Sequence, residues 1–151
     1  MRAFSLKAIR RRPKMAYHAL LTWLIHKLTR SDMVHVAIGD SQIVLDPSLE
    51  GVLFHESTLF CMQYPWLGWC VVVPTDKPVD LARFEGIGPL HPLPSFLRWI
   101  TLGLWPARDC VGITIEALRR AGVKVPNRIV TPGELWDFFR FRDFEFIEME
   151  T

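Results

Sequence analysis

The spacing of apolar residues changes near residue 31, which predicts a helix followed by antiparallel strands. Over residues 14–29 the apolar side chains recur at helical intervals, as in an amphipathic helix. From residue 34 they alternate with a period of two, which is typical of a strand, and a turn at 39–41 leads into a second strand over 42–46. The first third of the chain is therefore predicted to form a helix and a hairpin.

The rest of the chain continues this mixture. Predicted strands cover 52–54, 69–73 and 144–149, a short helix covers 78–85, and longer helices cover 95–103, 110–121 and 131–139. The helix at Thr131 has the pattern of a capping box, because Glu134 follows three residues later and Pro132 occupies the first turn. We therefore predict an α+β fold in which a small antiparallel sheet packs against the helix that begins at Cys110.

The length and composition predict one globular domain. The chain has 151 residues, 50% of them hydrophobic, and no linker divides it. The net charge is only +2, yet the first thirty residues hold eight of the 18 basic residues and none of the 16 acidic ones. We therefore divide the chain into a basic arm with an amphipathic helix, residues 1–30, and a globular part, residues 31–151.

The basic arm has several interpretations. It can bind anionic lipid, phosphate or an acidic surface of an assembly partner, or fold onto the acidic remainder of its own chain. No motif indicates sequence-specific recognition of nucleic acid. The helix over 14–29 either packs on the domain or lies on a membrane surface. Its apolar run at 15–25 is too short to span a bilayer and has no small-residue cleavage site, so we expect cytoplasmic synthesis without a cleavable signal or transmembrane helix.

Cys110 is the strongest candidate for chemistry. It follows Asp109, a good N-cap residue, and the positive end of a helix dipole favours a thiolate at that position. His35 in the first predicted strand and Asp46 at the end of the second supply an imidazole and a carboxylate. A lone histidine in a strand is more often a structural residue than a base, and a lone cysteine at a helix start more often packs in the core, but together with Asp46 they are the groups that nucleophilic acyl chemistry uses.

The loop of the hairpin decides whether His35 and Asp46 can meet. With Asp40-Ser41 as a two-residue loop the two residues are directly opposite, and with Gly39-Asp40 they are diagonal. Both registers put the two side chains on one face, whereas a three-residue loop would put them on opposite faces. A two-residue loop therefore predicts that His35 and Asp46 are neighbours.

The remaining cysteines and the neighbours of Cys110 complete the candidate site. Cys61, Cys70 and Cys110 are an odd number without a C-x-x-C pair, so neither a disulfide framework nor a zinc site is expected, and no metal or cofactor is predicted. Trp105 and Arg108 lie close to Cys110 in the chain and are candidate walls of a substrate pocket.

Two segments resemble parts of one known superfamily. The string His35-Val36-Ala37-Ile38, with Val44-Leu45-Asp46-Pro47-Ser48 and Gly51-Val52, resembles the histidine hairpin of NlpC-type papain-like cysteine peptidases. Asp109-Cys110-Val111-Gly112 and the apolar helix after it resemble their cysteine helix. Histidine precedes cysteine here, as in the circularly permuted branch that includes lecithin retinol acyltransferase-like proteins and bacterial and phage peptidases. The resemblance covers roughly residues 33–54 and 105–122.

The resemblance implies a permuted papain-like domain over residues 31–151, with Cys110 as nucleophile, His35 as general base and Asp46 as the group that orients the imidazole. The first function it implies is a thiol-dependent peptidase or amidase that acts on peptidoglycan or other peptides. The permuted branch also implies a lipid acyltransferase or lipase. The third alternative is a catalytically silent component of a larger assembly such as a phage tail, which would associate the protein with the virion.

Overall fold

The computed structural model describes residues 2–9, 16–31, 33, 35–40, 42–48, 50–56, 67–90, 92–105, 108–142 and 144–148. The strands are β1 (Arg2–Ile9), β2 (His35–Gly39), β3 (Ile43–Ser48), β4 (Gly51–Glu56), β5 (Leu67–Thr75) and β6 (Glu145–Glu148). The helices are α1 (Ala16–Thr29), α2 (Pro92–Ile100), α3 (Cys110–Arg120) and α4 (Pro132–Arg140), with a short 3-10 helix at Ala82–Phe84.

The described strands form one antiparallel sheet in the order β4-β3-β2-β1-β5-β6. The helices lie outside this sheet and do not alternate regularly with its strands along the chain, so the predicted α+β class is confirmed. Residues Val36, Ala37 and Ile38 of β2 are each almost completely buried, which means that both faces of the sheet are covered at this strand.

Strand β1 was not predicted from the sequence. The segment that we interpreted as the beginning of a basic arm pairs with β2 on one side and with β5 on the other, and Lys7 stands between Ala37 and Cys70. Its sequence does alternate, since Phe4, Leu6 and Ala8 are separated by Ser5 and Lys7. The same segment is rich in cations, which favoured its interpretation as a basic arm. The basic residues at positions 10–14 lie outside the described residues.

Three of the predicted helices form close to their expected limits, and α4 has the predicted capping box between Thr131 and Glu134. Helix α2 instead begins at Pro92, before the predicted start at residue 95, because proline is well suited to a first helical turn. It ends at Ile100, where the Gly103 N–H donates to the Arg98 carbonyl and Gly103 adopts a positive φ. The helix expected over 78–85 is reduced to the 3-10 helix. No helix in the described part of the chain combines the length and hydropathy of a membrane span.

Helix α3 packs against β2 and β3 through an apolar face. Its buried residues include Val111, Ile115 and Leu118, and they share one hydrophobic core with Ile38 and Leu45 of the hairpin. Burial of each such side chain stabilises the fold by roughly 1.5–3 kcal/mol. This core fixes the first residue of α3, Cys110, relative to the strands that carry His35 and Asp46.

Candidate thiol site

The hairpin β2–β3 uses neither of the two registers that we predicted. Gly39 pairs with Val44, so residues 40–43 form a four-residue connection. Asp40 stabilises it, because its carboxylate accepts hydrogen bonds from the N–H groups of Gln42 (2.7 Å) and Ile43 (2.8 Å). The connection is two residues longer than predicted, and an even change preserves the side-chain faces. His35 and Asp46 therefore stay on one face, in the diagonal relation.

His35 and Asp46 form a direct charge-assisted contact. The Nε2 atom of His35 lies 2.5 Å from Oδ1 of Asp46, and the two side chains are 13% and 2% exposed. A carboxylate that is this well buried needs a partner, and the imidazole N–H supplies one. The bond also fixes the ring orientation and leaves Nδ1 as the nitrogen for a second partner.

The second partner of His35 is Cys110. Burial opposes the charged imidazolium, but the charge of Asp46 and the hydrogen bond to it, together with a hydrogen bond to Cys110 and the charge of its sulfur, raise the pKa of His35 to about 10. The imidazole therefore keeps its proton at neutral pH. The structure brings the three predicted residues together as Cys110, His35 and Asp46, which we call the thiol site.

Asp109 anchors the thiol at the head of α3. Its carboxylate accepts a hydrogen bond from the Gly112 N–H (2.6 Å), which confirms the predicted N-cap. Burial raises the pKa of Asp109, and the charge of Arg98, with hydrogen bonds from Gly112 and Arg98, opposes that rise. Arg98 Nη1 lies 2.9 and 3.0 Å from the two carboxylate oxygens. Helix α2 thus holds the cap that positions Cys110, which is itself partly exposed.

His55 is a site residue that the sequence analysis missed. Its Nε2 atom lies 3.8 Å from Oδ2 of Asp46, whereas His35 contacts the other oxygen, Oδ1. The register of β3 with β4 explains this position, because Val44 pairs with His55 and Asp46 with Leu53. Parity across the second hairpin was the signal that could have revealed it.

The other predicted residues take less central positions. Trp105 and Arg108 are exposed in the segment before α3, and no described contact joins either of them to the Cys110 sulfur, so their role in substrate binding stays a prediction. Cys61 lies outside the described residues. Within the described part of the chain, no three His, Cys, Asp or Glu side chains are arranged to hold a metal ion.

Comparisons with known proteins identify no family for this chain. No family model matches it, and neither a curated protein nor a solved structure matches it significantly.

Proposed function

We propose that the protein is a thiol-dependent enzyme of acyl transfer with a permuted papain-like domain, and that its first reaction is hydrolysis of an amide bond. The observation that carries this proposal is the position of one imidazole: His35 contacts the Asp46 carboxylate through Nε2 and is close enough to Cys110 for that side chain to raise its pKa. Nucleophile, proton carrier and orienting carboxylate form this arrangement in thiol enzymes. The resemblance of both segments to the NlpC-type superfamily supports it.

The raised pKa of His35 defines the resting state of the proposed mechanism. The imidazole holds its proton, and the proposed reaction proceeds through the thiolate form of Cys110, which is the nucleophilic form of a cysteine. The thiolate of Cys110 attacks the carbonyl carbon, and the backbone N–H of Cys110, at the first turn of α3, can donate to the oxyanion. His35 then gives its proton to the leaving amine. Water, activated by the imidazole, releases the acid and restores the thiol site.

The substrate class that we propose is a peptide, including the peptide bridges of peptidoglycan. The partly exposed sulfur allows an extended chain to approach, and the exposed Arg108, two residues before Cys110 in the chain, is a candidate to bind a substrate carboxylate. Neither feature requires a metal or a cofactor.

The test begins with thiol reactivity. In the full-length protein, iodoacetamide should alkylate Cys110 faster than Cys61 and Cys70, with the modified peptides quantified by mass spectrometry. Cys110→Ala should abolish release of new amines from peptidoglycan fragments, and Cys70→Ala serves as the control that retains it. Equal alkylation rates at the three cysteines would sink the catalytic proposal.

A lipid acyl hydrolase or acyltransferase is the second candidate. The observation that favours it is the run of exposed apolar side chains just before the thiol, with Leu104 at 88% exposure and Trp105 at 49%. The two candidates separate when turnover on peptidoglycan fragments is compared with turnover on phospholipid vesicles. Turnover of neither substrate, with Cys110 unreactive, would leave a role as a silent component of an assembly.

A further inference from the structure

Seven of the exposed large apolar side chains are concentrated in two parts of the fold. On α1 they are Leu20, Trp23 and Leu28, and at the end of α2 and in the turn after it they are Ile100, Leu102, Leu104 and Trp105. Each is between 49% and 88% exposed. We call these seven side chains the apolar surface. Single exposed apolar residues are ordinary, but a set of this size indicates a binding surface.

On α1 the exposed residues follow one side of the helix. Leu20, Trp23 and Leu28 are three, five and eight positions apart, which places them in a broad stripe that spans an arc of about 140° on one side of the helix. The sequence left open whether this amphipathic helix packs on the domain or lies on a membrane surface. The exposure of the stripe shows that the domain does not cover it.

The turn after α2 presents its residues in the same manner. Leu102 has a φ of +51°, a left-handed conformation that is uncommon for a residue with a branched side chain. In this turn the side chains of Leu102 and Leu104 are 73% and 88% exposed. Exposure of an apolar side chain to water at the tip of a turn is unfavourable, so the turn is suited to insert into a membrane or into an apolar pocket of a partner.

The two places border one another. A cavity of about 620 Å³ between α1, α2 and α4 is lined by Leu28 from α1 and by Ile100 and Leu102 from the end of α2. Its floor includes Phe96 and Trp99. Leu28, at the C-terminal end of α1, and the turn after α2 therefore face the same cavity.

The two chain segments that carry the apolar surface have charges of one sign. Positions 16–31 and 92–108 contain no acidic residue, and Lys27, Arg30 and Arg108 are exposed there. In the chain, α1 is also preceded directly by Arg10, Arg11, Arg12 and Lys14. The acidic residues beside the cavity, Glu134 and Asp137, belong to α4, and Glu134 is occupied by the capping box.

We propose that the apolar surface docks on an anionic lipid bilayer. Leucine tips, two tryptophans and a rim of cations are the composition of segments that lie in the membrane interface, where the rings stay at headgroup level and the cations meet lipid phosphates. Both chain segments that carry the apolar surface contribute cations and no carboxylate, and this charge complements the phosphates of an anionic bilayer. The chain runs from this surface directly to Cys110, so docking would bring the thiol site to the bilayer.

The test uses the full-length protein and sedimentation with vesicles. The protein should bind vesicles that contain phosphatidylglycerol, should bind pure phosphatidylcholine vesicles at least about tenfold more weakly, and should be released by salt. Leu102→Ser combined with Leu104→Ser should reduce binding by about tenfold or more, and Lys27→Glu with Arg30→Glu should do the same. Ile43→Ser, which removes an exposed apolar side chain from the sheet, is the matched control and should bind as the wild type does.

Three results would overturn the proposal. They are absence of binding to both kinds of vesicle, equal binding to both, and full binding by the Leu102 and Leu104 double variant. The surface is instead a protein interface if the wild type does not bind vesicles but self-associates in sedimentation velocity, and the double variant does not self-associate. Because alkylation of Cys110 is measured separately, failure of docking is distinguishable from failure of the proposed catalysis.

Discussion

The thiol site and the apolar surface depart from ordinary residue placement in opposite ways. The thiol site buries charge, since Asp46 is 2% exposed and is held between His35 and His55. The apolar surface exposes leucine and tryptophan side chains that a soluble domain would normally bury. The buried charge of the thiol site has its partners within the chain, whereas the apolar surface would be covered only by a binding partner. The two regions are therefore suited to different roles, the thiol site to chemistry and the apolar surface to docking. They are nevertheless close in the chain, because only four residues lie between Trp105 and Cys110.

The largest expected effect is at the imidazole. His35→Gln keeps a hydrogen-bonding side chain but cannot carry the proton, so alkylation of Cys110 at neutral pH should slow by about 10²- to 10⁴-fold. His26→Gln is the matched control, because His26 is an exposed histidine of α1, and its alkylation rate should equal that of the wild type. Loss of reactivity in both variants would mean that the effect is not specific to the thiol site.

The second-largest effect is expected on stability, when the ion pair between Arg98 and Asp109 that anchors Cys110 is broken. Arg98→Met leaves the buried Asp109 carboxylate without its cation and should lower the free energy of unfolding by about 3–5 kcal/mol. Arg120→Met breaks an exposed pair with Glu116 at the other end of the same helix and should cost about 0–1 kcal/mol. Urea denaturation measures both. Equal losses would show that burial at Asp109 does not strengthen its dependence on Arg98.

The contact between His35 and Asp46 should also contribute stability that depends on pH. The pKa of His35 is raised from about 6.5 to about 10 in the folded protein. A raised pKa of a basic group stabilises the fold fully below about pH 6.5, and this contribution disappears as the pH rises through about 10. The difference in unfolding free energy between the wild type and His35→Gln should therefore shrink between pH 7 and pH 10. A difference that grows over this range would contradict the assignment.

The smallest effect is expected at His55. Its distance of 3.8 Å from Asp46 exceeds hydrogen-bond length, so His55→Ala should slow alkylation of Cys110 by only about threefold, at the low end of couplings within one charged network. A double-mutant cycle with Asp46→Asn is the measurement. If His55 acts through the carboxylate, its effect should vanish in the Asp46→Asn background, and a persistent effect would assign it another role.

Local patterns predicted two features of the thiol site. The side-chain period placed His35 and Asp46 on one face even though the loop length was wrong, because only its parity matters. The cap at Asp109 follows from residue type alone. Long-range pairing is different: nothing near Arg2–Ile9 in the sequence reveals that β2 and β5 are its partners. The Arg98 contact with Asp109 and the approach of His55 to Asp46 depend on the same tertiary information.

The position of β1 has a consequence for how the chain folds. This strand lies at the middle of the sheet and precedes both of its neighbours in the chain. During synthesis, β1 can pair only after β2 and then the much later β5 have been made. Pairings between residues distant in sequence slow folding, because loop entropy is lost before contacts compensate for it. Until β5 emerges from the ribosome, β1 has an open edge on which a chaperone or a second nascent chain can form a ladder. The yield of folded protein should therefore be sensitive to the rate of translation between β2 and β5.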